Sequence, residues 1–331
     1  MPRLVLNYDL RHPDSFGASA GATYATALDQ IGWADEHGFA FVAFGEHHQS
    51  PDGYLSCPLL FAAAIGGRTK TIRVRVSALL APLYDPIRLA EEIAVADLCL
   101  GGRLDVGIAA GYVREDFAMF GAEYTQRGRE LESTVALLRR AWTGEPFLHR
   151  GTTVRVTPRP AQDPMPLYLG GAARPAIERA ARIGDGYFPP TPGRWAVYRD
   201  ACVGLGKPDP GPLPPQSPIF CWVTRDDKEE VWARLAPHVR HQTQSYAAWT
   251  SSGLGRPAGP FVDAERSDDV RPGGAYLVLT PEETVELARD LGDDGRLNFS
   301  PLLAGIDPAW SWSMLGLVEA EVLPYLGLSP R

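Results

Sequence analysis

The chain has 331 residues, 45% of them hydrophobic and 22% charged, which is typical of a globular protein with a large core. Its net charge of −8 and its lack of a Lys/Arg block argue against a nucleic-acid partner, because neutralising phosphates needs a concentrated basic face. No apolar run reaches the ~20 residues of a membrane span and the first residues lack a secretion signal, so we expect a cytoplasmic protein with no membrane partner.

Predicted strands and helices alternate through the first half of the chain. The segment 39–45 (FAFVAFG) is a near-continuous apolar run, as expected for a parallel strand buried on both faces. The helices show apolar residues at helical spacing. The predicted strands are 4–10, 39–45, 72–81 and 104–110, and the predicted helices are 22–37, 58–66, 86–98 and 127–142.

The alternation continues in the second half, after a predicted hairpin over 147–156. Thr280 is a predicted N-cap. Residues 251–274 are rich in Gly, Pro and charge, which predicts an inserted loop; it is a candidate lid and equally a plain surface loop. The predicted strands are 166–169, 186–189, 219–224, 275–279 and 297–303, and the predicted helices are 175–183, 194–203, 228–249, 281–291 and 310–326.

The repeated alternation of strand and helix along the chain favours a parallel α/β architecture. A (β/α)8 TIM barrel takes ~250 residues and tolerates insertions, so we expect one barrel domain over residues 1–331. A doubly wound open sheet is the alternative, but no GxGxxG follows the first strand. The four cysteines are far apart and form no CxxC pair, which argues against a disulfide framework or a zinc site.

Glu46, His47 and His48 directly follow the apolar strand 39–45, at an end of the strand where active sites of barrels lie. Successive strand residues point to opposite sides, so one histidine can face the site while the other is held by neighbours. A histidine titrates near neutral pH, which suits acid/base work. The alternative is a polar cap on the strand; a metal site is disfavoured because no third ligand is placed.

Other strand ends carry small residues followed by polar groups. The turn Gly170-Gly171-Ala172 leads into a helix whose free N–H groups favour a phosphate, with Arg174 adding charge, although such turns also need glycine for φ > 0. Ser77 and Ala78 leave room for a flat ring or fill the core. The remaining candidates are Arg127, at the start of a helix, and the substrate-lining or core side chains Tyr8, Tyr112, Trp222 and Phe299.

Together these motifs resemble the bacterial-luciferase-like flavin-dependent monooxygenases. The resemblance rests on FGEHHQ, on the strands containing SALLAP and GGRLDVGIAAGY, and on LYLGGAARPAIERAARIGDGYF. It covers most of the chain and is thinner between residues 193 and 274. It implies a (β/α)8 barrel, reduced FMN delivered by a separate NAD(P)H-dependent flavin reductase, and a homodimer. Some branches of the family use a deazaflavin coenzyme for hydride transfer instead.

The resemblance also implies roles for individual residues. His47 matches the acid/base group, with Glu46 and His48 supporting the pocket. Ser77–Ala78 matches a strained, often cis, peptide against which the flavin ring packs. The phosphate turn matches four residues: Gly170, Gly171, Ala172 and Arg174.

The chain departs from bacterial luciferase at the fourth strand. Ala110 stands where the light-emitting subunit has an arginine on the flavin phosphate, and Ala109 where a cysteine precedes it. We therefore expect Arg174 or Arg127 to neutralise the phosphate. The expected protein is a two-component monooxygenase that acts with O2 on a small organic substrate of the natural-product type, not a luciferase. Its rivals are a deazaflavin-dependent hydride-transfer enzyme and a flavin-binding protein without catalysis.

Overall fold

A computed structural model describes residues 1–17, 19–254 and 275–328 of the chain. The strands are β1 (Arg3–Tyr8), β2 (Phe41–Phe44), β3 (Arg73–Leu80), β4 (Leu104–Ala109), β5 (Phe147–His149), β6 (Thr152–Val154), β7 (Leu167–Gly170), β8 (Gly186–Phe188), β9 (Phe220–Val223), β10 (Tyr276–Leu279) and β11 (Arg296–Phe299). The helices are α1 (Ala20–Glu36), α2 (Pro58–Gly66), α3 (Pro86–Cys99), α4 (Arg114–Phe120), α5 (Arg127–Ala141), α6 (Arg174–Ile183), α7 (Arg194–Gly204), α8 (Lys228–Leu254), α9 (Pro281–Leu291) and α10 (Pro308–Glu321).

The helix starts follow from local capping chemistry. In α9 the Thr280 side chain accepts from the Glu283 backbone, and the Glu283 side chain accepts from the Thr280 backbone, which is a complete capping box. The Asp85 side chain accepts from two backbone N–H groups of α3, and Pro86 occupies the first turn. These bonds satisfy N–H groups that have no partner within the helix.

The chain divides into two compact units, the first of which contains residues 1–56, 68–73 and 214–331. Within it β1 lies between β11 and β2, and both pairings are parallel. The register places Val5 beside Asn298 on one side and beside Phe41 on the other. Strands β9 and β10 form a second parallel pair. Leu6, Val42 and Phe299 have no solvent exposure and form part of the core of this unit.

The second unit contains residues 57–67 and 74–213. Its parallel strands lie in the order β3-β4-β7-β8, and β5 and β6 form an antiparallel hairpin. The peptide bond between Ser77 and Ala78 is cis, and the β3–β4 register shifts between Ser77 and Leu79. Each long strand of this unit is followed by a helix, as in parallel α/β folds.

The fold is thus parallel α/β, and the predicted elements are found with boundaries shifted by a few residues. Some boundaries were wrong in detail, and one helix was not predicted. The last strand ends at Phe299, because the chain turns at 301–302 and Pro301 has no N–H to donate to the sheet; a short 3-10 turn follows at Leu303–Gly305. The closing helix ends at Glu321 and a separate 3-10 turn covers 323–326. The short helix α4 was not predicted.

The predicted loop over 251–274 begins too early, because α8 continues to Leu254. The rest of that loop, residues 255–274, lies outside the described residues, and so does its predicted function as a lid. Among the helices in the described ranges, none combines the length and the apolar character needed to span a bilayer.

Candidate active site

In the first unit, the segments that follow β1 and β2 are hydrogen-bonded to each other. The His12 backbone N–H donates to the Asp52 carbonyl at 2.8 Å, and the Leu55 N–H donates to the Asp9 carbonyl at 3.2 Å. The His47 N–H donates to the Leu55 carbonyl at 3.2 Å. Because β1 and β2 are parallel neighbours, their carboxyl ends bring these polar segments together at one edge.

His47 lies among three aromatic side chains, Tyr54, Tyr246 and Trp249, which we call the aromatic box. The Trp249 ring stacks on the His47 ring with centroids 3.9 Å apart and an interplanar angle of 12°. Tyr54 and Tyr246 meet the imidazole edge to face at 4.9 and 5.6 Å. The two tyrosine hydroxyls are 3.0 Å apart and hydrogen-bonded. Tyr246 and Trp249 come from α8, so this helix covers the imidazole.

His48 has a different partner from His47. Its Nε2 lies 2.8 Å from Glu46 Oε1, and both side chains are buried. A carboxylate only accepts, so this His48 nitrogen carries the hydrogen. The two adjacent histidines therefore have different contacts: His47 contacts the aromatic box, and Glu46 is hydrogen-bonded to His48.

Arg11 lies on the same box and has 0% solvent exposure. Its Nη1 donates to Asp52 Oδ2 at 2.8 Å, and its Nε lies 3.7 Å from Asp9 Oδ2. Its Cζ is 5.0 Å from the Tyr54 ring centroid, 5.3 Å from that of Tyr246 and 4.9 Å from that of Trp249. These distances are within the range of cation–π attraction. Within the described residues, Arg11 Nε and Nη2 have no hydrogen-bond partner.

Asp52 is the centre of the polar contacts. Besides Arg11, it accepts from the Tyr54 backbone N–H at 3.3 Å and from the Ser50 hydroxyl. His241 of α8 places its Nε2 2.7 Å from Asp52 Oδ2. Helix α8 is therefore attached to this region through His241 as well as through its two aromatic side chains.

Burial and charge set the protonation of these groups. Burial, the Arg11 charge and His48 lower the pKa of His47 to about 3, so its imidazole is neutral at pH 7. Burial acts to raise the pKa of Asp52, but the His241 hydrogen bond and the Arg11 charge leave that pKa well below its usual value. Burial raises the pKa of the Tyr54 and Tyr246 hydroxyls, so both phenols keep their protons.

In the second unit, small residues meet at the carboxyl ends of β3, β4 and β7. A Cβ added at Gly170 would lie 3.7 Å from the Ala78 Cβ and 3.8 Å from the Ala109 Cβ. Ser77 is exposed although it lies within β3, and Ala78 is half-buried. This is a surface of low bulk beside the cis peptide that the resemblance implied.

The glycine turn after β7 is packed closely against the following helix. Gly171 has φ 135°, and a Cβ there would lie 2.7 Å from the Ala176 Cβ. Ala172 follows in the turn, and the N-cap residue Ala173 makes no side-chain cap bond, so the first N–H groups of α6 are not capped by it. The Arg174 side chain is 82% exposed and pairs with Glu178 at 2.8 Å, so its charge lies along α6.

Arg127 and Arg114 both pack on the ring of Tyr124. Their Cζ atoms lie 3.9 and 4.2 Å from its centroid. Arg127 Nη1 also donates to the Tyr124 carbonyl at 2.8 Å, and the Tyr124 hydroxyl donates to the Tyr112 carbonyl at 3.3 Å. The structure therefore places two cations beside the segment that follows β4. Arg114 was not identified from the sequence.

Three of the aromatic candidates lie in the packed interior of the first unit. Trp222 is 1% exposed and its ring is 4.5 Å from that of Trp310. Tyr8 donates to Gln30 in the core, and Phe299 has no exposure.

Sequence reasoning also missed Asp9, Arg11, Asp52, Tyr54, Tyr246 and Trp249. The same criterion that singled out residues 46–48, charged groups directly after an apolar strand, applies to Asp9 and Arg11 after β1. The helical partners in α8 have no such signal.

The sequence matches a known protein family and several known proteins. A family model described as luciferase-like monooxygenase matches residues 8–286. The chain is 28% identical over 196 residues to 4-hydroxyprotoasukamycin monooxygenase of Streptomyces nodosus subsp. asukaensis, covering 55% of this chain and 52% of that protein. It is 29% identical over 201 residues to the F420-dependent glucose-6-phosphate dehydrogenase of Nakamurella multipartita, covering 57% of each.

A third relative is the oxygenase component of the flavin-dependent trigonelline monooxygenase of Acinetobacter baylyi, 30% identical over 140 residues, or 40% of this chain and 39% of that one. The chain spans about half the length of the first curated relatives it matches.

Three of the solved structures that match the chain show its fold. The monooxygenase RslO1 of Streptomyces bottropensis matches with TM-score 0.72 and 24% identity, covering 98% of this chain and 99% of that one. The oxygenating constituent of 3,6-diketocamphane monooxygenase of Pseudomonas putida, a type II Baeyer-Villiger monooxygenase in complex with FMN, matches with TM-score 0.72 and 20% identity, covering 98% of both. An F420-dependent secondary alcohol dehydrogenase matches with TM-score 0.69 and 17% identity, covering 98% of this chain and 99% of that one.

Proposed function

Because this chain belongs to the luciferase-like monooxygenase family, we propose that it is the oxygenase of a two-component system acting on a small organic substrate. Reduced FMN, supplied by a separate NAD(P)H-dependent flavin reductase, would provide the electrons that activate O2. The names of two relatives support this, one being the oxygenase component of a flavin-dependent monooxygenase and the other a monooxygenase in complex with FMN.

The observation that carries the proposal is the buried, uncharged His47 at the carboxyl ends of β1 and β2. A pKa of about 3 makes the imidazole neutral in the working pH range, so one ring nitrogen donates a hydrogen bond while the other can accept a proton or a hydrogen bond. The aromatic box fixes its orientation and excludes water around it. Glu46 and His48 are hydrogen-bonded to each other and would stabilise the segment that contains His47.

We propose that the second unit provides the residues that hold the flavin. The low-bulk surface of Ser77, Ala78 and Gly170 would face the ring. The turn through Gly171 and Ala172 would direct its own backbone N–H groups and that of Arg174 to the phosphate, since Pro175 has no N–H and the Ala176 N–H donates to the Ala173 carbonyl. Two arginines are candidates for neutralising the phosphate charge. Arg127 packs against Tyr124, and Arg174 would have to break its ion pair with Glu178. For the substrate we propose His48, Tyr112 and Trp222, of which Trp222 is 1% exposed in this structure.

Flavin reoxidation tests this proposal directly. The protein is mixed with reduced FMN without oxygen and then exposed to air, and the return of oxidised-flavin absorbance is followed. We expect the wild type to slow the reoxidation relative to free FMN, and His47→Gln to change the rate. His149→Gln, in the β5–β6 hairpin, is the matched control and should behave as the wild type. Reoxidation at the free-FMN rate in the wild type would refute the proposal.

A deazaflavin-dependent hydride transfer is the second candidate function, and two similar proteins that carry F420 in their names favour it. The bound coenzyme would supply the hydride acceptor, and the uncharged His47 would accept the proton of the substrate alcohol. Coenzyme reduction by secondary alcohols without oxygen would support this candidate. Oxygen-dependent product formation with FMN and a reductase would exclude it.

The assembly is also a proposal. We propose one (β/α)8 barrel domain, supported by the parallel strands followed by helices in both units. We propose a homodimer through α2 and α3, because Leu60, Val95 and Leu98 on these helices are exposed apolar side chains. A cytoplasmic location stays a prediction from the sequence.

A further inference from the structure

Arg11 contacts the same three rings that surround His47, yet no motif or family resemblance assigned it a role. Its guanidinium carbon lies between 4.9 and 5.3 Å from all three ring centroids of the aromatic box. Those rings lie between 3.9 and 5.6 Å from the His47 ring. We propose that Arg11 is a positioning residue that holds the aromatic box together and keeps the His47 imidazole uncharged. The inference rests on the proposed function only where it takes His47 to be the catalytic residue.

Only part of the Arg11 guanidinium is hydrogen-bonded, and its charge also faces aromatic rings. One of its nitrogens donates to Asp52, while Nε and Nη2 have no hydrogen-bond partner among the described residues. A buried guanidinium without exposure and with two such nitrogens is costly unless other groups stabilise the charge. The aromatic faces and the carboxylates of Asp9 and Asp52 provide that stabilisation.

Every segment of this unit that packs around His47 brings a group that affects its charge. The segment after β1 contributes Asp9 and Arg11. The segment after β2 contributes Glu46, His48, Asp52 and Tyr54, and α8 contributes His241 and Tyr246. Of the charged groups, Arg11 opposes a charged imidazole, while Asp52 favours one and has the smaller effect. After burial itself, Arg11 is the largest cause of the low pKa of His47.

A basic side chain close to a buried carboxylate tends to be protonated, and the position of Arg11 counteracts this tendency at His47. Asp52 alone would favour a charged His47, because a nearby opposite charge favours the charged form. Arg11 offsets Asp52 within the same cluster, so the imidazole stays uncharged. A merely structural Arg11 would join the segments after β1 and β2 but would leave the proton affinity of His47 unchanged.

The stacked Trp249 provides a readout of His47 that needs neither flavin nor substrate. A protonated imidazole quenches the fluorescence of an indole stacked on it, and a neutral one quenches it much less. The chain has 8 tryptophans, so the signal is taken as the difference between each protein and its Trp249→Phe version. In the wild type we expect no quenching step from about pH 8 down to about pH 4. His47→Gln fixes the baseline.

Arg11→Met should move the quenching midpoint up by about one pH unit or more, and Arg11→Lys, which keeps the charge, should leave it near the wild-type position. Arg11→Met leaves two buried carboxylates without their cation and can unfold the chain. The double variant Arg11→Met with Asp52→Asn removes an ion pair and keeps the net charge, and its midpoint should also rise. Circular dichroism establishes which variants are folded.

A folded Arg11→Met or double variant with the wild-type midpoint would overturn the inference. Failure of the proposed function would be seen separately. In that case the wild type would reoxidise reduced FMN at the rate of free flavin, while the fluorescence midpoint would still depend on Arg11.

Discussion

Asp52→Asn should destabilise the protein strongly, because this carboxylate joins three parts of the first unit. It accepts from Arg11 and from His241 at 2.8 and 2.7 Å, and its side chain is only 5% exposed. The substitution keeps the size of the side chain and removes the charge. Arg11, which has no solvent exposure, then keeps only Asp9, with 3.7 Å between Nε and the nearest carboxylate oxygen.

The magnitude follows from the cost of leaving a buried charge without its partner. Removing one member of a buried ion pair typically costs about 3 to 5 kcal/mol, and the partial compensation by Asp9 places this case near about 3 kcal/mol. A chain of 331 residues unfolds with an entropy of about 0.7 kcal/mol/K. The melting temperature should therefore fall by about 4 °C.

Urea unfolding and thermal melting of Asp52→Asn and of Asp29→Asn provide the measurement. Asp29 pairs with Arg68 at the surface, where their side chains are 56% and 50% exposed, so its loss should cost at most about 1 kcal/mol. Equal destabilisation of the two variants would refute the reasoning.

The pH dependence gives a second check on Asp52. The pKa of Asp52 is lower in the folded chain than its unfolded value of about 3.9, so its stabilisation is fully present above that pH. It is lost progressively as the pH falls towards the folded pKa. The stability difference between wild type and Asp52→Asn should thus be constant near neutral pH and shrink below about pH 4.

Three further predictions concern the flavin surface, the cover of His47 and the assembly. Gly171→Ala should lower the free energy of unfolding by more than about 1 kcal/mol, since its Cβ would lie 2.7 Å from α6, whereas Gly170→Ala should fold normally and weaken FMN binding measured by flavin fluorescence. Trp249→Ala should increase the rate at which diethylpyrocarbonate modifies His47, followed by mass spectrometry; an unchanged rate would mean that the indole does not shield it. Leu98→Glu should convert the proposed homodimer to monomer in sedimentation velocity, and an unchanged mass would exclude this helix face.

The sequence predicted the elements of the fold well because their signals are local. Apolar runs bounded by glycine marked β2 and β7, and helical periodicity marked α5 and α9. The end of the last strand was misplaced because Leu302 and Leu303 are apolar, although the chain already turns at 301–302. The signal was present in the sequence, since Pro301 has no N–H to donate to a sheet.

Only the part of the candidate site that lies in one continuous segment was predicted from the sequence. Glu46, His47 and His48 follow one another, so their chemistry is visible in the sequence, and Glu46 and His48 hold each other across two residues. Trp249 is 202 positions away from His47 along the chain, and in an amphipathic helix it cannot be told from a core residue.

The protonation state of His47 depends on contacts between such distant segments. From its residue type alone His47 would titrate near neutral pH and would serve as acid and base alike. Folding encloses it among aromatic rings with Arg11 on the same rings, and the pKa falls to about 3. An imidazole with that pKa is a poor source of protons at pH 7, so a proton that the substrate needs must come from another group. The hydroxyls of Tyr54 and Tyr246 keep their protons and are hydrogen-bonded to each other, and the rings of both tyrosines pack against the imidazole.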